Sequence, residues 1–265
     1  MSASATRPAR WPWLALALFF GLAIAGTAGV VANDESLAEQ VLFLIAFSMF
    51  GVVGALLLSR ASGNRIGGLL LYCFCAVPVA FGSGELTTFL ATRGSTEGAM
   101  VVAAAVLSEV GWVFGIVPVL ILLPLLFPDG RLPSPRWRPL VWATVTFLAF
   151  LGVAVIFGSD VLTGSVEEVK IANPLFVPAL EELFAVSDAV INAVLLGLLV
   201  ASFASIVVRF RRARGIERQQ IKWVALAVSF LVASFVISEV LFQLGVESGL
   251  VDSLIIGPAF LALPV

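Results

Sequence analysis

Arg209-Phe-Arg-Arg-Ala-Arg-Gly-Ile-Glu-Arg-Gln-Gln-Ile-Lys222 separates two long apolar runs and holds six of the fifteen Lys and Arg residues in the chain. Working outward, Arg131, Arg136 and Arg138 occupy the gap two runs earlier, Arg60 and Arg65 the gap two runs before that, and Arg7 and Arg10 precede the first run. Thirteen of the fifteen basic residues therefore fall in every second gap, and only Arg93 and Lys170 fall in the alternate ones. The alternate gaps are acidic instead. Asp34, Glu35 and Glu39 follow the first run, and Asp160, Glu167, Glu168, Glu181 and Glu182 surround Lys170. Cytoplasmic loops of membrane proteins are enriched in Lys and Arg. The pattern predicts a polytopic membrane protein whose N-terminus is cytoplasmic.

Composition agrees. Of 265 residues, 60% are hydrophobic and 12% charged, against about 25% charged in soluble domains. No basic domain suited to nucleic acid is present. The chain has no histidine, which excludes imidazole acid–base chemistry and His-ligated metals within it. Cys73 and Cys75 stand at i and i+2, on different faces of a helix, and read as small apolar residues. Neither phosphate-binding glycine loops nor zinc-protease motifs occur, nor does a nucleophile elbow. No catalytic residue, cofactor or metal is expected.

A span needs about 20 residues. Eight apolar segments meet or approach that length: 12–32, 40–59, 66–91, 99–127, 140–158, 183–208, 223–245 and 249–265. The predicted fold is an all-α polytopic helix bundle, one transmembrane domain over 1–265 with both termini cytoplasmic. The first run exceeds the ~7–15 residues of a signal-peptide core, so it reads as a span. The short turn Ala61–Arg65 makes its two spans antiparallel neighbours. Gly111-x-x-x-Gly115 permits a close helix approach. Asn173-Pro174 has the form of a helix start, with Asn as cap and Pro at the first position. Trp11, Trp13, Trp137, Trp142 and Trp223 fall near the basic boundaries, where indole prefers to sit. The last segment stops at Pro264-Val265 without a basic flank, and the natural chain is expected to continue into the cytoplasm.

Four carboxylates interrupt the spans: Glu85, Glu109, Asp188 and Glu239. Counting from the basic end of each span at ~1.5 Å per residue, they lie at depths of roughly 28, 27, 30 and 24 Å. They form one level in the outer part of the bilayer. Asp188 and Asn192, and likewise Glu239 and Gln243, share a helix face at i,i+4, and Trp112 is near Glu109 in sequence. Carboxylates inside a membrane are functional candidates. Glu85, Glu109, Trp112, Asp188, Asn192, Glu239 and Gln243 together suggest an outward vestibule for a small ligand or a cation. Water reaching acids near the interface is the plainer reading. At the other end, Arg131, Arg136, Arg138, Arg209, Arg211, Arg212, Arg214, Arg218 and Lys222 have two readings. They attract anionic lipid, or they couple the last spans to a cytoplasmic domain.

Three stretches together carry a family resemblance: Ser62-Gly-Asn-Arg-Ile-Gly67, Phe127-Pro-Asp-Gly-Arg-Leu-Pro-Ser-Pro-Arg-Trp-Arg-Pro139 and Arg214-Gly-Ile-Glu-Arg-Gln-Gln-Ile-Lys-Trp223. They resemble the multi-pass N-terminal membrane sensor region of actinobacterial sensor histidine kinases. The resemblance covers nearly the whole chain, although Arg65 stands where the family often has Pro. It implies a last span that passes through a Pro-containing stretch, here Ala262-Leu263-Pro264-Val265, into a cytoplasmic kinase region. The catalytic residues of that family have no counterpart in these 265 residues.

The expected function is a sensory module in the bacterial plasma membrane, a homodimer that relays an extracellular or bilayer stimulus to a histidine kinase region. The alternatives are a cation or solute transporter that uses the acidic level, and a structural subunit packed on another membrane protein.

Overall fold

A backbone inside a bilayer must satisfy its own hydrogen bonds, so apolar runs of this length become helices. The computed structural model describes residues 9–35, 37–166, 169–184, 188–215 and separate positions between 218 and 237. Its helices are α1 (Trp11–Ala32), α2 (Leu37–Arg60), α3 (Arg65–Thr92), α4 (Ala99–Leu126), α5 (Arg138–Phe157), the short α6 (Pro178–Phe184) and α7 (Asp188–Arg212). Five helical stretches among the described residues are long and apolar enough to cross a membrane, and α2 adds 24 residues between two of them. The chain is therefore a helical bundle with the character of a membrane protein.

Helices α1 to α5 begin and end within three residues of the first five apolar segments. The sixth segment, 183–208, overlaps the helical stretches α6 (Pro178–Phe184) and α7 (Asp188–Arg212), and residues 185–187 between them lie outside the described residues. Asn173-Pro174 does not start a helix. The Asn173 side chain turns back onto α5, where its Nδ2 donates to the carbonyls of Ile156 and Ser159 at 2.9 and 2.7 Å. Those carbonyls lie at the helix end, beyond the last intrahelical donors, which gives the asparagine a stronger use than a cap. The span 223–245 is described only at isolated helical positions, and 249–265 lies outside the described residues.

One departure from all-helical structure among the described residues is a hairpin in the acidic loop. Strands β1 (Val161–Thr163) and β2 (Lys170–Ala172) pair antiparallel, Leu162 opposite Ile171. Alternation along each strand turns Leu162 and Ile171 down onto Val101 and Ala105 of α4, and both are fully buried.

Helix α3 sits at the centre of the bundle, against α1, α2 and α4, while α4 also carries α5 and α7. Successive long helices alternate in direction and gather the loops at two ends. At the basic end, Ala9 N donates to Ser59 O, and Gly130 lies against Arg65. At the acidic end, Arg93 and Ala32 meet through a 3.4 Å hydrogen bond. Trp11, Trp13, Trp142 and Trp223 are exposed toward the basic end.

Small residues set the closest approaches, as membrane helices require. A Cβ on Gly111 would stand 2.7 Å from Ala80 Cβ, and one on Gly115 would stand 3.0 Å from Ala76 Cβ. The Gly111-x-x-x-Gly115 face therefore seats α4 on the alanines of α3. Gly54 of α2 is tighter still, with Leu71 N 2.6 Å from its missing Cβ. Gly115→Ala should cost about 1 kcal/mol, at the low end of overpacking, because Ala76 must give by only a few tenths of an ångström. Reversible unfolding in mixed micelles measures it, and a neutral result would mean that the α3–α4 seam is loose.

Prolines inside α4 remove helical donors, and neighbours replace them. Pro118 leaves the Phe114 carbonyl without its partner four residues on, and the Tyr72 hydroxyl donates to it at 3.0 Å. Pro128 cannot donate to the Pro124 carbonyl, and Ser205 of α7 does so at 3.3 Å. Ser202 donates to the Ile121 carbonyl one turn earlier. Two serines thus tie α7 to the proline-bearing half of α4. Cys73 is buried in the core, Cys75 is half-buried, and neither forms a disulfide.

Candidate functional site

Three strands of chain converge at the acidic end: the end of α1, the last turns of α3 and the hairpin loop. Glu85 lies where they meet and is only 1% exposed. Its carbons cross the face of Gly29, where a Cβ would stand 2.7 Å from Glu85 Cβ. Glycine on α1 is what admits the carboxyl. Asn33, just past α1, donates from Nδ2 to Glu85 Oε2 at 2.8 Å and to the Glu85 carbonyl at 3.1 Å. Glu85 Oε1 and Asn33 Oδ1, both buried, have no hydrogen-bond partner among the described residues, and the Ser165 hydroxyl lies beside the Glu85 carboxyl. Buried acceptors of this kind are uncommon and call for an explanation.

Beside this pair, Ser165 joins the loop to the bundle. It is hydrogen-bonded to Thr88 Oγ1 at 2.8 Å, donates to Glu35 Oε1 at 2.8 Å, and its backbone N–H reaches Thr88 Oγ1 at 3.0 Å. Gly84 leaves room for Ser108 on α4, whose Oγ would be 2.8 Å from an added Cβ. Glu85 and Glu109 thus share a level on neighbouring helices but work apart. Glu109 Oε1 accepts from Thr163 N at 2.9 Å and from Thr163 Oγ1 at 2.8 Å. It fastens β1 to α4. Trp112, one turn below, stands edge-on to Phe81 with ring centroids 6.1 Å apart.

A cavity of about 430 Å³ opens next to Glu85. One stripe of α1 (Leu22, Ala25, Gly26, Gly29) and one stripe of α3 (Pro78, Val79, Gly82, Ser83, Glu85, Leu86, Phe89) line it. Leu22 and Leu86 at its rim are exposed, so it opens on the perimeter of the bundle. Helices α1 and α3 build it, whereas the sequence pointed to the third, fourth, sixth and seventh spans. Asp188 begins α7 and Asn192 is exposed. Glu239 and Gln243, and the side chain of Asp188, lie outside the described residues.

The basic end is built around Arg209. Its guanidinium donates to Asp129 Oδ1 at 3.0 Å, to the Leu125 carbonyl at 3.3 Å and to the Arg131 carbonyl. Asp129 also accepts from Arg131 N at 3.1 Å, and Gly130, at φ +71°, turns its N–H onto the Leu126 carbonyl. Glycine adopts that backbone without strain. The last carbonyls of α4 are therefore satisfied by Ser205, Arg209 and Gly130. The Arg209 side chain is 11% exposed and that of Asp129 54%. Arg209 is folded into the loop, while Arg131, Arg136, Arg138, Arg211, Arg212, Arg214, Arg218 and Lys222 remain exposed, Arg218 over the Phe210 ring.

Sequence reasoning missed Asn33, Thr163, Ser165 and Asp129. Only Asp129 had a signal, its place in the Pro-Asp-Gly turn. No group of His, Cys, Asp and Glu among the described residues is arranged to hold a metal ion. Comparison with protein-family models, with curated proteins and with solved structures finds no match.

Proposed function

We propose that the chain is the membrane-embedded sensory module of a bacterial two-component system, relaying an extracellular or bilayer stimulus to a cytoplasmic histidine kinase region. In this reading the bundle has eight spans in the plasma membrane, both termini are cytoplasmic, and the module works as a homodimer. The basic loops face the cytosol, where they meet anionic lipid.

The connection made by α7 supports this most. It starts after the acidic-end loop, carries Ser202 and Ser205 against α4, and ends on Arg209, which holds the Phe127–Pro139 loop. The same helix leads into Arg214–Trp223, another of the kinase-like stretches. A small axial or rotational shift of α7 would change the Arg209 contacts and reach the segment beyond. Bistable packing of this sort is how small displacements become switches.

The test is to express the full reading frame in membrane vesicles and supply γ-labelled ATP. Acid-labile phosphate on a histidine encoded beyond Val265 is the expected result. A product with no signalling domain there removes the reading. Cation transport past the acidic level is the alternative, and it expects liposome uptake that Glu239→Gln abolishes. The two donors that Thr163 places on Glu109 Oε1 favour the sensory reading, because they occupy that oxygen with a loop instead of an ion.

A further inference from the structure

The groove between α1 and α3 joins an apolar channel to an unanswered polar atom. Its floor is Gly26 against Gly82, where a Cβ on Gly26 would stand 3.8 Å from Gly82 Cα. Its walls are Leu22, Val79 and Leu86, and toward its acidic end it is lined by Glu85, whose buried Oε1 has no hydrogen-bond partner among the described residues. From Pro78 to Phe89 the groove follows about 16 Å of helix at ~1.5 Å per residue. A volume of about 430 Å³ falls in the range of small-molecule sites. The exposed rim residues Leu22 and Leu86 make its mouth lateral, facing acyl chains if the bundle spans a bilayer.

The polar end selects the head group. Of the groove's lining residues, Glu85 carries the orphaned atom: Oε1 is an acceptor without a partner among the described residues, so a ligand that meets it supplies a donor. No Lys or Arg among the described residues pairs with Glu85. Arg93, the nearest basic residue in sequence, lies over the Phe89 ring and donates to the Phe89 and Ala32 carbonyls. The surroundings are acidic, with Asp34 and Glu35 following α1. A primary ammonium offers three N–H donors and one positive charge. It can donate to Glu85 Oε1 and balance the carboxylate charge, and an anionic head group is repelled.

We propose that this groove binds a single-chain cationic amphiphile, a long-chain primary amine. It enters from the bilayer with its ammonium on Glu85 and its chain along α1 and α3. The inference deepens the sensory reading by naming a bilayer-borne ligand class, and its test reads binding alone, independent of any kinase output.

The experiment uses the full chain in phosphatidylcholine nanodiscs and radiolabelled dodecylamine, with dodecanol and dodecanoate as same-length probes. Wild-type protein should bind dodecylamine saturably above the partition into empty nanodiscs, and dodecanoate not at all. Glu85→Gln should weaken the amine at least tenfold and leave dodecanol within about twofold. Gly82→Leu, whose added Cβ meets nothing within 4 Å, should fill the channel and abolish saturable binding with the helical melting profile kept. It carries the test even if Glu85→Gln fails to fold. Wild-type binding no greater than that of empty nanodiscs overturns the proposal. So does amine binding unchanged in Gly82→Leu, or unchanged in folded Glu85→Gln. In those cases the sensory reading still stands or falls on its phosphorylation test.

Discussion

Arg209→Ala is expected to lower the unfolding free energy by about 3 kcal/mol. The guanidinium serves three acceptors, and two of them are backbone carbonyls at the end of α4 and in its loop. A hydrogen bond from a charged donor contributes roughly 1.5–3 kcal/mol. A part-buried carbonyl left without a donor adds its desolvation cost. The Asp129 contact counts for less, because that carboxylate is 54% exposed and screened by water. Asp129→Asn should therefore cost under ~1 kcal/mol. Arg209→Lys should recover little, since an ammonium cannot reproduce the planar fork that bridges three acceptors. Unfolding in mixed micelles, with all three variants side by side, decides the matter. Full recovery by lysine would mean that charge alone acts there.

The second large effect belongs to Glu109. Removing it in Glu109→Ala takes two hydrogen bonds from Thr163 and leaves the Thr163 N–H unpaired at the edge of the hairpin. A local loss of about 2–3 kcal/mol is expected, which is roughly a thirty- to 150-fold rise in hairpin opening. Trypsin cleavage at Lys170, exposed on β2, reads it directly. Glu109→Gln keeps a carbonyl oxygen at the same place and should cleave within about threefold of wild type. A cation-binding role for Glu109 makes the opposite demand, because there the charge matters and the amide fails. Gln behaving like Ala would move Glu109 from the hairpin fastening to an ion site.

The charge pattern made the alternating bundle legible, since apolar length and basic flanks are one-dimensional signals. The first five helices end within three residues of their expected positions. The hairpin was not legible, because its strands are three residues each and its two buried positions, Leu162 and Ile171, form no apolar run. Depth counting put Glu85 and Glu109 on one level, but not their partners. Asn33 is 52 positions from Glu85, and Thr163 is 54 from Glu109. Helix rotation decides such meetings, and only packing sets rotation. Arg209 shows the same limit. It is one of six basic residues in its stretch and looks like the rest, yet it alone makes an ion pair among the described residues. That pair depends on Asp129, 80 positions away.

In the proposed orientation the basic end of the bundle faces the cytosol and the hairpin end faces out. Single cysteines at Arg131 and Arg212, and at Thr96 in the loop after α3, are introduced into a chain with Cys73 and Cys75 replaced by alanine. Intact cells are then treated with a membrane-impermeant maleimide. The expected result is labelling of Thr96→Cys alone, with Arg131→Cys and Arg212→Cys reacting only after the membrane is opened. Labelling of Arg131→Cys or Arg212→Cys in sealed cells would invert the bundle and contradict the account.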